Sequence, residues 1–124
     1  MRPDSDRVAD MLDAVAAIER RKPESKAAFD ADEMVQVWML RHIQIIGEAA
    51  AGITRDTRDL APDIPWGQIV GMRNALVHAY FNIDWDAVWL VVIRDLPKLE
   101  PALRALSAAL VQPRNAPGRP SPTE

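Results

Sequence analysis

Apolar residues recur three or four positions apart along most of this chain, and no other feature of the sequence constrains its fold as strongly. Residues at this spacing lie on one face of an α-helix, so each stretch predicts an amphipathic helix that must pack against a partner. No glycine pair and no alternation of β-branched residues indicates a sheet. The sequence therefore predicts an all-α fold, an antiparallel bundle of four to five helices with short connections.

Prolines, glycines and capping residues divide this pattern into segments. The predicted helices span residues 5–21, 30–51, 65–80, 84–96 and 97–110. Asp4 or Ser5 can cap the first helix, because a side-chain oxygen before a helix accepts from its first N–H groups. Asp30 and Glu33 form a capping box for the second helix.

The length and the C-terminal composition indicate one folded domain followed by a tail. A chain of 124 residues can bury a core of its own, and the helical domain is predicted over residues 1–111. Asp84 can cap the fourth helix, and Pro97 either kinks that helix or starts the fifth. Residues 112–124 contain four prolines and little to bury, which predicts a disordered tail.

Composition excludes several classes of function. The formal net charge is −3, so any binding of nucleic acid needs a local basic cleft. The absence of cysteine excludes disulfides and thiolate metal sites. No apolar run approaches the roughly 18 residues that a membrane span needs, and the N-terminus does not resemble a signal peptide. These features predict a cytoplasmic protein that makes no use of a membrane.

The stretch 71–81 carries the residues with the most chemistry. Interpreted as part of one helix, it puts Arg73 in the middle of an apolar arc, with Asn74 and His78 stacked on the opposite flank. A cation in an apolar arc is unusual for a plain amphipathic helix, and so is a polar pair beside small residues. This segment is therefore the predicted site.

An arginine and a histidine together can cleave RNA without a metal ion or a cofactor. The neutral imidazole of His78 can take the proton from a ribose 2′-OH, and the alkoxide then attacks the adjacent phosphorus to leave a 2′,3′-cyclic phosphate. The guanidinium of Arg73 can hold the phosphate and stabilise its growing charge, with Asn74 in support. The leaving 5′-oxygen also needs a proton. A second His78 in a two-fold homodimer can supply it.

Arg73, His78 and Tyr80 form a pattern that resembles the Arg-x4–6-His signature of HEPN domains, and the tyrosine narrows the resemblance to HepT-like proteins. Further blocks similar to that family are Ile45–Ala49, Ile64–Trp66, Gly71–Asn74, Tyr80–Phe81, Asp84 and Asp95–Pro97. The spacing alone is a weak signal, whereas these blocks in order over residues 5–105 form a strong one. The chain departs from the family at 41–44, where Arg-His-Ile-Gln replaces the Arg-Asn-Leu-Glu of many relatives.

This resemblance implies a helical HEPN ribonuclease toxin that dimerises around the motif and cuts RNA without metal. It implies that Arg73 and His78 are catalytic. The implied partner is a cognate minimal nucleotidyltransferase, the antitoxin of a type VII-like toxin–antitoxin pair, which transfers AMP from ATP to Tyr80. The added charge and bulk would block RNA and compete for Arg73.

Other interpretations of the same residues stay open. Arg73 can be a buried structural cation paired with Glu48 or an aspartate. His42 is expected to be a packed core histidine, and a metal site that combines both histidines with Glu48 is not expected, because no ligand pair has helical spacing. Arg55 and Arg58 can line an RNA path or remain solvated. The chain can also be a non-catalytic helical adaptor that positions the substrate of a nucleotidyltransferase.

Overall fold

A computed structural model describes residues 2–79 and 82–111 of the chain, with the backbone alone for residues 73, 75 and 77–79. Its elements are, in chain order, α1 (Asp4–Arg20), α2 (Lys26–Asp30), α3 (Glu33–Ala51), α4 (Arg55–Asp59), α5 (Trp66–Ala75), β1 (Val77–Ala79), β2 (Asn82–Ile83), α6 (Trp85–Leu90), a π-helical turn (Val91–Asp95) and α7 (Leu96–Val111). In the described ranges, each helix is too short or too polar to cross a bilayer. The predicted tail, 112–124, lies outside these ranges.

The helices form a bundle in which α3 packs against both α1 and α5, and α1 also packs against α7. The core is apolar and takes side chains from both ends of the chain. Its largest fully buried side chains are Phe29, Met11, Ile18, Met39, Ile43, Ile46, Leu96, Leu103, Val8, Val15, Val88 and Val92. Burial of this surface is the main force that holds the helices together. The predicted all-α class is confirmed.

The N-terminal half differs from the prediction in how its second helix begins. Asp32 caps α3, since its carboxylate accepts a hydrogen bond of 3.1 Å from the backbone N–H of Val35. The predicted cap, Asp30, is wrong because this residue ends the separate short helix α2. Phe29 accounts for the extra helix. Its buried ring packs against Trp89 with the ring centres 5.2 Å apart, which ties α2 to α6.

Asp4 joins two helices and caps neither, so the predicted cap of α1 is wrong; no side chain caps that helix. The Asp4 carboxylate accepts hydrogen bonds from the Thr54 hydroxyl (2.5 Å) and the Thr57 hydroxyl (2.6 Å), at the start of α4. Burial would raise the pKa of Asp4, but these hydrogen bonds and the charge of Arg7 outweigh it and lower the pKa. The contact therefore stabilises the fold above the ordinary aspartate pKa and is lost in acid.

Residues 85–111 are helical without a loop. Asp84 caps α6 as predicted, with its carboxylate 3.0 Å from the backbone N–H of Ala87. After α6 the chain makes one π-helical turn, closed by the N–H of Leu96 donating to the carbonyl of Val91, five residues back. Pro97 is the second residue of α7, which follows this wider turn directly. That position suits a residue with no N–H to contribute to a regular helical ladder.

The third helix is shorter than predicted, because α5 ends at Ala75. The last helical hydrogen bond runs from the N–H of Leu76 to the carbonyl of Met72, at 3.0 Å. In a continuing helix the Leu76 carbonyl would accept from the N–H of residue 80. Here it accepts from the N–H of Asp84 at 2.8 Å. The hydrogen bond from Asp84, eight residues later in the chain, therefore replaces the bond that residue 80 would make in a continuing helix.

A small antiparallel ladder of β1 and β2 follows α5, where the sequence predicted no sheet. The segment is rich in residues with strand propensity, namely Val77, Tyr80, Phe81 and Ile83. The pattern did not reveal the ladder because these residues also fit the apolar spacing of a helix. The fold remains all-α in class, with one short hairpin attached to the end of α5.

Helices α3 and α5 come unusually close at Gly47. A Cβ atom on this residue would lie 3.2 Å from the backbone oxygen of Ile69 and 3.8 Å from that of Val70, both in α5. The shorter of these distances is below an ordinary van der Waals contact, and a backbone oxygen cannot turn away as a side chain can. Gly47 therefore sets how closely α5 packs on the bundle.

We expect Gly47→Ala to lower the free energy of unfolding by about 1–2 kcal/mol, because overpacking outweighs the better helix propensity of alanine. Gly67→Ala is the matched control, since a Cβ on Gly67 meets no atom within 4 Å. This control should leave stability unchanged or raise it by up to about 1 kcal/mol. Urea unfolding followed by circular dichroism measures both. Equal effects of the two substitutions would contradict the close approach.

Candidate active site

The predicted site residues lie on two different elements. Arg73 is in the last turn of α5, and Asn74 follows it with an exposed side chain. His78 is the middle residue of β1. The prediction that Asn74 and His78 stack on one helix flank is wrong, because α5 ends before His78. Tyr80 lies outside the described residues.

The backbone of His78 has a special position in the ladder. Val77 pairs with Ile83, and Ala79 pairs with Asn82, so the register shifts between these two pairs. His78 is the extra residue on its strand, with no counterpart on β2. This is the arrangement of a β-bulge, which bends a strand and is common beside active sites.

One main-chain contact ties this hairpin to the helices on either side. The Asp84 N–H donates to the carbonyl of Leu76 at 2.8 Å, which closes the base of the segment that holds His78. The Asp84 carboxylate accepts from the backbone N–H of Ala87 and so begins α6. Asp84 therefore links the end of α5, the ladder and α6 at a single residue.

A groove of about 490 Å³ runs along α5 toward the motif. It lies between α5 and the segment from the π-helical turn to α7, and is lined by Asp63, Ile64, Pro65, Gln68, Ile69, Met72, Val91, Arg94, Asp95, Lys98, Leu99 and Ala102. The charges of Arg94 and Lys98 in this lining are balanced by two aspartates. One of these, Asp95, accepts a hydrogen bond of 2.9 Å from the Arg94 Nε. The groove alone therefore offers no net positive charge to a phosphate.

His42 belongs to another face of the molecule. Its half-buried ring donates from Nδ1 to the carbonyl of Trp38 at 2.8 Å, since a carbonyl can only accept. The ring lies 4.4 Å from the Trp38 ring, and beside it is a surface cavity of about 320 Å³ lined by residues of α1 and α3 alone. His42 is therefore packed as predicted, though not fully buried, and it faces α1 rather than α5.

Arg58 is expected to line an RNA path or to be solvated, and the structure shows that it is half-buried and bonded to the main chain rather than solvated. Its Nε donates to the carbonyl of Ile53 at 3.1 Å, and its Nη2 donates to the carbonyl of Ala50 at 2.9 Å. Ala50 is in the last turn of α3, where helical partners run out, and Ile53 lies two residues beyond the end of that helix. The guanidinium also lies 5.7 Å from the ring centre of Trp66, the first residue of α5.

Arg58 thus fastens the end of α3 to the start of the helix that carries Arg73. A signal for this role was present in the sequence, because an arginine six residues after Gly52 can turn back to the open carbonyls of the preceding helix. Glu48, the suggested partner of Arg73, is exposed on α3.

We expect Arg58→Ala to lower the free energy of unfolding by about 2–3 kcal/mol, because two charge-assisted hydrogen bonds to backbone carbonyls are lost. Arg58→Lys should recover only part of this, since an ammonium group cannot reproduce the planar fork. Arg55→Ala, at an exposed position in the same short helix, should change stability by less than about 0.5 kcal/mol. Thermal unfolding measures all three variants. If Arg55→Ala destabilises the protein as much as Arg58→Ala does, this role of Arg58 is contradicted.

Comparison with known proteins gives a consistent family match. A family model described as "Ribonuclease HepT-like" matches residues 11–106. The "Probable ribonuclease HepT" of Thermococcus cleftensis is 36% identical over 100 residues, which are 80% of this chain and 91% of that protein. The "Putative RNase MJ1380" of Methanocaldococcus jannaschii is 40% identical over 72 residues, 58% of this chain and 66% of that protein. No solved structure matches the chain significantly.

Proposed function

Because the chain belongs to the HepT-like ribonuclease family, we propose that it is an endoribonuclease that cleaves RNA with Arg73 and His78. The observation that carries the proposal is the family match over residues 11–106, which includes both residues and the turn between them. A relative that aligns with four fifths of the chain is named a ribonuclease. The family resemblance and the chemistry of the motif therefore both indicate RNA as the substrate.

The proposed reaction needs a base, a cation and an acid. His78 takes the proton of a ribose 2′-OH, the 2′-oxygen forms a bond to phosphorus, and the bond to the 5′-oxygen breaks. Arg73 stabilises the charge on the phosphate oxygens during this exchange. Asn74 is exposed beside Arg73 and supports the phosphate or the imidazole. The products are a 2′,3′-cyclic phosphate and a 5′-OH, and no step requires a metal ion.

The leaving 5′-oxygen must receive a proton, and this requirement supports a homodimer. The chain has two histidines, and His42 is packed against Trp38 on the face shared with α1. A second His78 from a symmetry-related copy is the remaining imidazole, so the proposed site lies across a two-fold axis.

The proposed regulation acts on Tyr80, two residues after His78. As a toxin, the chain would be paired in the cytoplasm with a minimal nucleotidyltransferase that transfers AMP from ATP to this hydroxyl. The phosphoanhydride of ATP breaks, pyrophosphate leaves, and the tyrosine oxygen keeps the AMP group. Its negative charge would compete with RNA for Arg73. The rival function, a non-catalytic adaptor of the nucleotidyltransferase, predicts no cleavage.

We expect the purified chain to cleave single-stranded RNA in EDTA and to leave 2′,3′-cyclic phosphate ends, because the proposed base and cation are both side chains. His78→Ala should slow cleavage at least about 100-fold, the usual contribution of a general base. Denaturing gels and mass spectrometry of the product ends measure both quantities. His42→Ala is the matched control and should retain cleavage.

Four outcomes would contradict parts of this proposal. Cleavage that persists in His78→Ala would remove His78 as the base, and cleavage of DNA at a similar rate would exclude attack by a 2′-OH. A monomer by light scattering under conditions of full activity would remove the shared site. An unmodified dimer that leaves RNA intact would favour the adaptor.

The modification gives a separate prediction. Tyr80 is the single tyrosine of the chain, so Tyr80→Phe removes the acceptor without ambiguity. We expect incubation with ATP and the cognate nucleotidyltransferase to increase the intact mass by one or more AMP groups and to stop cleavage. Tyr80→Phe should gain no AMP and keep cleaving. Equal AMP addition to the variant would place the modification elsewhere.

A further inference from the structure

The segment that carries the motif contains cations but no acid. From Trp66 to Ile83 there is no aspartate or glutamate, although Arg73 and His78 both lie within it. A guanidinium and an imidazolium close together repel each other unless a negative charge compensates them. The first acid after the segment is Asp84.

The fold brings the backbone of Asp84 against Leu76, which lies between the two motif residues in the sequence. Its N–H is bonded to the carbonyl of Leu76, so the two residues are opposite each other at the base of the hairpin. Cα atoms of opposite residues in such a ladder are roughly 5 Å apart. Leu76 is two residues before His78 and three after Arg73, less than one helical turn. The backbone of Asp84 therefore lies opposite the stretch of main chain that links the two motif residues.

The known contact of the Asp84 carboxylate is compatible with a second role. Its Oδ1 accepts from the backbone N–H of Ala87, the capping bond of α6. A carboxylate offers about four acceptor sites on two oxygens, so a capping bond can coexist with other contacts of the same group. The cap also fixes the carboxylate at a defined place beside the ladder.

We propose that Asp84 is a positioning residue of the motif, whose carboxylate supplies the countercharge that holds the Arg73 guanidinium and the His78 imidazole in place. The chemistry assigned to these two groups rests on the proposed function. A carboxylate beside an imidazole fixes its tautomer and stabilises the imidazolium formed after proton abstraction. Asp84 itself neither touches the substrate nor transfers a proton in this scheme.

Other nearby acids lack this connection. Asp86 is paired with Lys26 at 2.8 Å, and its side chain is 82% exposed. Asp63 lies before the start of α5, at the far end of the groove from the motif. Glu48 is exposed on α3. None of these three has a main-chain bond to the hairpin among the described contacts.

The test is Asp84→Asn, which removes the charge but keeps the cap, because the asparagine oxygen accepts the same bond from Ala87. Asp86→Asn is the matched control, since it removes an equal charge two residues later on α6. We expect Asp84→Asn to fold with an unchanged circular dichroism spectrum and to cleave RNA roughly 10–100-fold more slowly, as for loss of an orienting carboxylate. Asp86→Asn should cleave at the wild-type rate.

A second readout does not depend on cleavage. The two histidines can be titrated by NMR, with His42 as an internal reference. Loss of an adjacent carboxylate disfavours the imidazolium, so we expect the pKa of His78 to fall by about one pH unit in Asp84→Asn and to stay unchanged in Asp86→Asn. The lower limb of the pH–rate profile should move to lower pH by the same amount.

The outcomes separate this inference from the proposed function. A lowered pKa of His78 in a chain that cleaves no RNA would support the positioning role and overturn the nuclease. An unchanged pKa and an unchanged pH–rate profile in Asp84→Asn would overturn the positioning role and leave the nuclease intact. If Asp84→Asn fails to fold, Asp84→Ser, which also retains a capping oxygen, gives the same comparison.

Discussion

The hydrogen bond from the Asp84 N–H to the Leu76 carbonyl determines the geometry of the candidate site. It takes the carbonyl that a continuing helix would use for residue 80, and so α5 ends at Ala75, one residue after Asn74. As a result, Arg73 remains on a rigid helix while His78 falls on a strand with a bulge. A single helix would instead have separated these residues around its axis. The main-chain contact thus brings a helix end and a hairpin together at one place.

The helix that carries Arg73 is held at three points along its length. Arg58 links its first residue, Trp66, to the end of α3. Gly47 allows its middle to pack closely on α3, and the bond between Leu76 and Asp84 fixes its end. Functional groups are placed more accurately on supported elements than on loops. This support explains how a short helix can hold its last turn, which contains Arg73, in one place in a small bundle.

Much of the candidate site could be predicted from local sequence, but its geometry could not. The motif residues, the Asp84 cap and the packed environment of His42 follow from residue types and spacing. The end of α5 did not follow, because Val77 and its neighbours satisfy helical and strand patterns equally. The role of Arg58 did not follow from the sequence either. A cation in a polar connection looks solvated until the open end of a preceding helix is known to lie within its reach.

The sequence by itself determined the helical class, the capping of α6 and the family to which the chain belongs. All three depend on periodicity and on motifs, which are patterns of residues close together in the sequence. Only the tertiary structure decided where α5 stops, that Asp4 joins α1 to α4, and that His78 is the extra residue of a bulge. The physical reason is that each of these rests on a contact between residues far apart in the chain. Such contacts compete with local preference, and their outcome depends on how the whole bundle packs.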